Sequence, residues 1–450
     1  MIVAKFGGTS VADAEAIGRL IEIIRSRTAC RPIVVVSALA KVTDALLALA
    51  QLCGPGDGTA IDAAVAALLE RHEGIARSLP GCSPAMDLIA DDAAELRRDL
   101  IAAKDRRLSA AELDAVAGRG ELWSSRLVAA AMVGAGLAAD WVDIRAILVT
   151  DGRFGRATPY IQVLNKRARE QLRPLSEAGR IPVTQGFIGA TATGVATTLG
   201  RGGSDFTASL LGAALEAERV EIWTDVDGLM TADPRIVPSA RTLPVASYEE
   251  AAELATFGAR ILHPATAQPL ARAGIPIVIL NSLHAECSGT TISPQAELKP
   301  MGDSPIRSIS WKQGITVVNI RAPRMLGTYG FLRALFEVFE RHETVVDVLA
   351  SGEVSISITI EDRARLDHIV RDLGELGEVW VEQHRAIVAI VGVGLRHTPG
   401  LAGRVFNAVW PANVEIISQG ASAINMTFVV REEDGPDVVR RLHQEFFGSC

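Results

Sequence analysis

The sequence predicts an α/β domain, with a mainly parallel sheet between helices, followed by two small α+β modules. The chain opens with a strand-loop-helix pattern that repeats, and Ile2–Phe6 and Pro32–Val36 are its first two strands. Continuous apolar runs of this kind indicate parallel strands buried on both faces and joined by crossover helices. The length of 450 residues exceeds one ordinary core, and the residue pattern changes near residue 284. We therefore expect more than one domain.

The spacing of apolar residues assigns further elements to the first part of the chain. Additional strands are expected at 141–144, 147–149, 181–185, 220–223 and 275–280. Helices are expected at 11–26, 43–52, 247–257 and 264–273, with a set of helices within 60–138. In that set, Ser109-Ala-Ala-Glu112 is a capping box that begins one helix.

A cluster of Ser, Gly, Thr and Pro at 284–304 is typical of a domain boundary. Beyond it, strands are expected at 315–320, 345–349, 354–360 and 379–383, with helices at 331–342 and 363–376. Gly330-Phe-Leu and Gly400-Leu-Ala head similar helices, which indicates a tandem repeat of two α+β modules. A chance match between two ferredoxin-like units is the alternative.

Composition excludes several function classes. The formal net charge of −8 argues against a nucleic-acid partner, which usually requires a basic face. The five cysteines are scattered without a Cys-x-x-Cys pair, so neither a disulfide framework nor a zinc site is indicated, and a reducing cytoplasm is expected. The N-terminus lacks a signal-peptide pattern, and no apolar run reaches membrane-spanning length.

A glycine-rich segment, Gly200-Arg-Gly-Gly-Ser-Asp205, precedes an apolar helical run. Backbone N–H groups at a helix N-terminus favour an anion, and Arg201 adds a planar cation that grips a carboxylate or phosphate with two hydrogen bonds. The segment therefore predicts an anion site at a helix that starts at Ser204. The alternative is an ordinary glycine turn capped by Ser204.

Two more segments place polar groups at strand ends, where parallel sheets bind ligands. Lys5-Phe-Gly-Gly-Thr-Ser10 combines a lysine with a glycine turn that enters a helix, and Thr224-Asp225 follows a strand. Phosphoryl transfer needs cations around the transferred group, and the candidates are Lys5, Arg201, Arg235 and Arg260. A solvated lysine and a surface turn are the alternatives for these two segments.

Taken in order, these segments resemble the signatures of aspartate kinases. Besides the two glycine segments, Trp223-Thr-Asp-Val-Asp-Gly228, Asp233-Pro-Arg235 and Phe257-Gly-Ala-Arg-Ile-Leu-His-Pro264 match. The resemblance spans essentially the whole chain and is greatest to the monofunctional, lysine-sensitive type, whose C-terminal modules are ACT domains. It implies an amino-acid-kinase catalytic domain at 1–295, a first ACT module at 314–385, and a second, discontinuous module at 305–313 plus 386–450.

The resemblance implies ATP-dependent phosphorylation of the β-carboxylate of L-aspartate to 4-phospho-L-aspartate, the first step toward lysine, threonine and methionine. Mg²⁺ would be bound through the ATP phosphates, without direct protein ligands. Catalytic roles fall to Lys5 and Asp205. The implied substrate-binding residues are Thr43, Glu121, Phe187, Arg201, Gly202 and Ser204. The implied nucleotide-binding residues are Gly7, Gly8, Thr224, Asp225, Met230, Arg235 and Arg260.

The chain departs from the family pattern at several of these positions. Arg260 stands where a lysine is common and Met230 where a tyrosine is common, which bears on nucleotide affinity. Gly327 and Gly352 replace larger polar residues near the implied effector site, so inhibition by lysine or threonine stays a hypothesis. The implied effector-binding residues are Met325, Phe331, Leu332, Val346, Asp347 and Glu353.

ACT pairing implies a homodimer or tetramer, and the second module would take its first strand from 306–311. Two other functions stay open from the sequence. One is a kinase of the same fold that acts on another acidic amino acid, such as glutamate or N-acetylglutamate. The other is a non-catalytic amino-acid sensor, against which the presence of Lys5, Arg201, Asp205 and Asp225 argues.

Overall fold

The computed structural model describes residues 1–53, 58–103, 105–257, 264–294, 296, 304–325, 327 and 329–448. The chain divides into two compact units. The first comprises Met1–Leu229, Pro244–Tyr248 and Ile261–Ala296, and the second comprises Met230–Leu243, Glu249–Arg260 and Glu297–Cys450. Within the described residues, no helix is long and apolar enough to cross a membrane.

The strands are numbered along the chain. They are β1 (Ile2–Phe6), β2 (Pro32–Val36), β3 (Ala139–Trp141), β4 (Val149–Thr150), β5 (Ile181–Gln185), β6 (Ile188–Thr191), β7 (Ala196–Thr198), β8 (Arg219–Thr224), β9 (Val245–Ala246), β10 (Ile277–Asn281), β11 (Thr290–Ile292), β12 (Ile306–Arg321), β13 (Leu349–Ser351), β14 (Ser355–Ile360), β15 (Glu378–Gly392), β16 (Ile416–Gln419) and β17 (Asn425–Arg431).

The α-helices follow the same order. They are α1 (Ala14–Arg27), α2 (Val42–Gln51), α3 (Gly58–Ser78), α4 (Ser83–Ala102), α5 (Ala110–Ala117), α6 (Arg119–Gly134), α7 (Ile161–Gln171), α8 (Arg173–Glu177), α9 (Gly203–Ala214), α10 (Tyr248–Thr256), α11 (Pro264–Ala273), α12 (Phe331–Arg341), α13 (Leu366–Leu373), α14 (Leu401–Val409) and α15 (Gly435–Phe447).

The first unit is built on an eight-stranded sheet of described residues, in the order β3-β5-β2-β1-β8-β10-β11-β9. From β3 to β10 each neighbouring pair is parallel. Strands β1, β2 and β5 are buried at every position, as the apolar runs of β1 and β2 predict. Because β1, β8 and β10 are parallel and in register, Phe6, Trp223 and Leu280 lie side by side, and the residues after them meet at one edge.

Several local details of the first unit differ from the prediction. Helix α1 begins at Ala14 rather than residue 11, because Asp13 caps it by accepting from the Ala16 N–H at 2.8 Å. The strands expected at 141–144 and 147–149 are wrong in extent. Strand β3 ends at Trp141, and 144–146 is a 3₁₀ turn, because the Asp143 side chain accepts from the Arg145 N–H and closes that turn. The capping box at Ser109 is confirmed.

The second unit contains a six-stranded sheet of described residues, in the order β13-β14-β12-β15-β17-β16. Two long antiparallel strands, β12 and β15, form its centre. Residues 306–312 of β12 pair with 387–392, and residues 315–321 pair with 378–385. Gly330 and Gly400 precede α12 and α14 with φ of 84° and 75°. These equivalent left-handed glycines support the interpretation of a repeat.

Two elements of the second unit also differ. The strand expected at 345–349 is wrong, since β13 covers only Leu349–Ser351. The Thr359 side chain accepts from the Val348 N–H at 2.8 Å, which interrupts the regular ladder there. The helix expected at 363–376 is shorter, at Leu366–Leu373.

The second unit also includes 230–243, a segment that directly follows strand β8 and its loop. Ala232 and Val237 are buried in the same core as Ile309 of β12 and Leu442 of α15. Thr231 is buried, and its N–H and hydroxyl contact Arg241 and His443. Met230 and Arg235 therefore belong structurally to the second unit.

Candidate active site

An almost buried ion pair lies where β1 ends and α9 begins. Lys5 Nζ is 2.6 Å from Asp205 Oδ1, and the two side chains are 11% and 14% exposed. Asp205 occupies the first turn of α9, where the helix dipole favours negative charge. The structure thus joins the two residues to which the sequence assigned catalysis, although they lie 200 positions apart. The Lys5 side chain is thereby held by Asp205 at the carboxyl edge of the parallel strands.

The first glycine turn fixes the surroundings of Lys5. Gly7 N–H donates to Trp223 O at 3.1 Å, and Gly8 O accepts from Ala40 N–H at 3.0 Å. A Cβ on Gly8 would lie 3.0 Å from Ala38 O, whereas the φ of Gly8 is −59°. Close packing rather than left-handed backbone therefore requires this glycine. The turn continues into a 3₁₀ turn at 9–11, so it does not enter α1 directly as the sequence predicted.

Glu121 supplies a buried carboxylate in the first turn of α6. The residue is 3% exposed, and its Oε2 has no hydrogen-bond partner among the described residues. Burial raises the pKa of Glu121 to about 8, although hydrogen bonds from its own backbone, the Ala38 backbone and the Thr43 hydroxyl oppose the shift. A desolvated carboxylate with one unsatisfied oxygen suits a ligand cation.

The Gly200–Asp205 loop has the conformation that its glycines predict. Gly200 and Gly202 have φ of 77° and 74°, a region that favours glycine. Arg201 is exposed and forms no ion pair with the part of the chain that the structure describes. Helix α9 starts at Gly203, and its N-cap, Gly202, has no side-chain cap. The alternative of a turn capped by Ser204 is therefore wrong, and Arg201 projects from a turn at a helix N-terminus.

A second tight turn presses against this loop. A Cβ on Gly186 would lie 2.5 Å from Ser204 Cβ, and one on Gly203 would lie 2.8 Å from the Phe187 ring. Phe187 itself has a φ of 69°, and its N–H donates to Thr207 Oγ1 at 3.2 Å. A bulky residue in left-handed backbone is uncommon and costs free energy, so the surrounding structure must hold Phe187 in this conformation. Phe187 thus lies beside the segment that contains Arg201 and Ser204.

The strand-end loop after β8 is braced from β10. Ser282 donates to Thr224 O through its N–H and its hydroxyl, at 2.8 and 3.0 Å. Asn281 Nδ2 donates to Asp227 at 2.6 Å, and Ser282 Oγ contacts Ser10 Oγ at 2.8 Å. Sequence reasoning missed Asn281 and Ser282. Their position at the end of β10, a parallel neighbour of β8, is the signal that would have found them.

The described residues among the other nucleotide predictions are divided between the two units. Thr224 donates to Asp225 at 3.2 Å in the first unit. Arg235, in the second unit, is 88% exposed at its side chain and pairs with Asp233 at 2.6 Å. This guanidinium lowers the pKa of Asp233. Arg260 lies outside the described residues.

The predicted effector residues all belong to the second unit. Met325, Phe331 and Val346 pack against one hydrophobic core, whereas Leu332 is 48% exposed. The two acids differ as well. Glu353 is exposed, but Asp347 is partly buried, and its Oδ1 lies 3.2 Å from Lys312 Nζ.

Lys312 also contacts Glu361 at 2.8 Å. Burial raises the pKa of Asp347 even though Lys312 opposes the shift. Asp347 therefore already has a cationic partner within the chain.

Comparisons with known proteins agree with this geometry. Residues 1–281 match the amino acid kinase family, and residues 388–446 match the ACT domain. Lysine-sensitive aspartokinase 3 of Escherichia coli (strain K12) is 37% identical, over 99% of each chain. Aspartokinase 1, chloroplastic, of Arabidopsis thaliana is 33% identical over 99% of this chain and 80% of its own length.

Solved structures give the same result. The crystal structure of E. coli aspartokinase III in complex with aspartate and ADP has a TM-score of 0.87 and 36% identity, covering 99% of this chain and 100% of that one. The complex of the same enzyme with lysine and aspartate has a TM-score of 0.82 at 36% identity and 99% coverage of both chains.

The chain is an ATP-dependent phosphotransferase of the amino acid kinase family. The parallel sheet, the lysine near the end of β1 and the glycine-rich start of α9 agree with this class. Sequence identity to aspartokinases over nearly the full length of the chain identifies the family within this class. The chain belongs to the aspartokinase family. The predicted fold class, an amino-acid-kinase domain followed by ACT modules, is confirmed.

Proposed function

We propose that the chain transfers the γ-phosphoryl group of ATP to the β-carboxylate of L-aspartate, giving 4-phospho-L-aspartate and ADP. The observation that carries this proposal is the 2.6 Å pair between Lys5 and Asp205. Positioning and charge stabilisation are the main requirements of phosphoryl transfer. A nearly buried ammonium, held by a carboxylate at the carboxyl edge of the sheet, meets both.

Aspartate would be held by two groups of opposite charge. Arg201 has no ion-pair partner among the described residues, and its planar guanidinium suits the α-carboxylate with two hydrogen bonds. The unsatisfied Oε2 of Glu121 suits the α-ammonium. Thr43, Phe187, Gly202 and Ser204 would complete the amino-acid pocket.

The β-carboxylate itself is the nucleophile. Its ordinary pKa is about 4, so it is ionised at neutral pH and needs no general base. Lys5 would stabilise the charge that develops on the transferring phosphoryl oxygens, and Asp205 would hold the Lys5 ammonium in place.

ATP would enter as its Mg²⁺ complex, in which the ion neutralises part of the phosphate charge. Gly7, Gly8, Thr224 and Asp225 supply the turn and strand-end loop for this nucleotide. Met230, Arg235 and Arg260 stay candidates for nucleotide contact by resemblance alone.

Substitution kinetics test this division of roles. Lys5→Ala should lower kcat by about 10²- to 10³-fold, the usual cost of removing a preorganised charge stabiliser. Asp205→Ala should lower kcat more than it raises the KM for aspartate, whereas Arg201→Ala should mainly raise that KM. Lys166→Ala is the matched control, since this lysine on α7 is 75% exposed. Unchanged ATP turnover in Lys5→Ala would refute the proposal.

The choice of acceptor needs a separate test. ADP release should be measured with aspartate, glutamate and N-acetylglutamate at equal concentrations. Glu121 favours acceptors with a free α-ammonium, so N-acetylglutamate should be the poorest substrate. Equal turnover of glutamate and aspartate would overturn the choice of aspartate as the acceptor.

Feedback inhibition by lysine, through the first ACT module of a homodimer, is the proposed regulation. Leu332 and Phe336 of α12 are 48% and 43% exposed and offer an apolar surface for pairing between chains. Activity should be titrated with lysine, threonine and both together, while sedimentation follows the assembly. No response to either amino acid would exclude this regulation, and a monomer at assay concentration would exclude the dimer.

A further inference from the structure

Asp114, near the end of α5, is a buried carboxylate that no role described so far uses. The residue is 5% exposed. Its two oxygens accept from Gly155 N–H at 3.0 and 2.9 Å. They also accept from Thr198 N–H at 2.7 Å and from the Thr198 hydroxyl at 2.9 Å. No lysine, arginine or histidine of the described residues forms an ion pair with Asp114.

These donors come from two segments that flank the Arg201 loop. Thr198 is the last residue of β7, two positions before Gly200. Gly155 lies in a turn whose carbonyl oxygen would be 2.9 Å from a Cβ on Gly200. Ala157 N–H also donates to Thr198 O at 2.9 Å, which joins that turn to β7. Asp114 therefore binds both the strand that enters the loop and the turn on which the loop rests.

A buried charge without a counter-ion is costly, and several strong hydrogen bonds are needed to offset the cost. An apolar residue or an amide would satisfy the packing of α5 at a lower desolvation cost. A carboxylate has a specific advantage here, because it accepts from three neutral donors at once and fixes their separation. The separation that Asp114 fixes is the one between the Gly155 turn and the start of the Gly200 loop.

We propose that Asp114 is a positioning residue for aspartate binding. It holds the Gly155 turn against the strand that leads to Arg201, and so places the Arg201 guanidinium for the substrate carboxylate. This proposal rests on the assignment of Arg201 to the α-carboxylate of aspartate. Asp114 acts through the loop and does not touch substrate or the reacting atoms.

Asp114→Asn tests the proposal directly. In either orientation the amide nitrogen would lie about 3 Å from Gly155 N–H, which now contacts both carboxylate oxygens, so this N–H meets a second donor and keeps a single acceptor while the side-chain volume is kept. The KM for aspartate should rise about tenfold, the consequence of losing one hydrogen bond to a buried charge. The KM for ATP should stay within about twofold, since the Lys5 side of the site does not depend on this contact.

Two substitutions at Thr198 keep the test valid if Asp114→Asn folds poorly. Thr198→Val removes only the hydroxyl donor and should raise the KM for aspartate about threefold, while Thr198→Ser restores the donor and should restore the KM. Asp140→Asn is the matched control, because this acid pairs with Arg180 at the surface of the same unit and should change neither KM.

The outcomes separate this inference from the proposed function. Thermal melting of each variant should be followed beside kcat and both KM values. If Asp114→Asn and Thr198→Val lower the melting temperature but leave the KM for aspartate unchanged, the role of Asp114 is only structural and the inference is overturned. An equal rise in both KM values would also overturn it. If Arg201→Ala leaves the KM for aspartate unchanged, the site assignment fails and the inference fails with it.

Discussion

The raised pKa of Glu121 predicts how aspartate affinity depends on pH. Only the ionised carboxylate can pair with the α-ammonium, and the pKa of about 8 leaves about one tenth of the free enzyme ionised at pH 7. Apparent affinity scales with the competent fraction. The KM for aspartate should therefore fall about fivefold between pH 7 and pH 8, and about fiftyfold between pH 6 and pH 8.

Two assays check this prediction. Steady-state kinetics between pH 6 and pH 8 should show the fall in the KM for aspartate, while the KM for ATP follows a shallower profile. Calorimetry at pH 7, in buffers of different ionisation enthalpy, should show release of about 0.9 proton per aspartate bound. Glu121→Gln cannot ionise, so its KM should stay at or above the wild-type value at pH 6 and should not vary with pH.

Stability provides an independent measure of the same group. A carboxyl whose folded pKa lies above its unfolded value destabilises the folded state as pH rises from about 4.5 to 8. The cost reaches about 4 kcal/mol at pH 8. Glu121→Gln should accordingly raise the free energy of unfolding at pH 8 and change it little at pH 4. A KM for aspartate that does not vary with pH, together with no proton release, would refute the assignment of Glu121 to the ammonium.

Three further predictions concern other parts of the chain. Burial lowers the pKa of His72 to about 4, so the unfolded chain binds a proton at this residue more readily than the folded chain does. The free energy of unfolding should therefore fall by about 3 kcal/mol as the pH drops from 6.5 to 4. Urea unfolding of His72→Phe should not show this pH dependence. If lysine binds at Asp347, removing the competing cation by Lys312→Met should lower the lysine concentration for half-inhibition severalfold. An unchanged concentration for half-inhibition would exclude Asp347 from the effector site. Gly186→Ala should reduce kcat/KM for aspartate at least tenfold. The new Cβ of residue 186 would lie 2.5 Å from Ser204 Cβ, so the first turn of α9 would have to move. Such a shift costs about 1 to 3 kcal/mol. Gly18→Ala, a glycine on α1 with open space around it, is the control and should leave activity unchanged.

The sequence predicted the parallel sheet well, because its central strands leave little ambiguity. Ile2–Phe6 and Pro32–Val36 are short runs without polar interruption apart from Lys5, and burial on both faces is the structure that such runs favour. Strands β6 and β7 were missed for the opposite reason. Apart from Ile188 their residues are small or threonine, so no apolar alternation marks them. Their position depends on neighbours from elsewhere in the chain such as Leu148, whose carbonyl oxygen accepts from Ala190 N–H.

The residues of the candidate site likewise fall into those that the sequence predicted and those that it missed. Lys5, Arg201 and Asp205 were found because glycine-rich segments mark their positions. Asp114, Asn281 and Ser282 carry no such mark, since each is a single polar residue in or directly after an ordinary helix or strand. Their roles depend on segments brought together from far along the chain, and no local pattern reports such contacts.

The geometry also refines the anion site that the Gly200–Asp205 loop predicts. A helix N-terminus with an arginine suits phosphate and carboxylate equally well. Asp205, the acidic residue in the first turn of that helix, forms an ion pair with Lys5. The positive charge of Lys5, which suits a phosphoryl group, therefore lies on the β1 side of α9. Arg201 lies outside the helix, in a turn pressed against Phe187 and braced by Asp114. Under the proposed function, the carboxylate of aspartate is then the better ligand for Arg201, and Asp205 would link substrate placement to phosphoryl transfer.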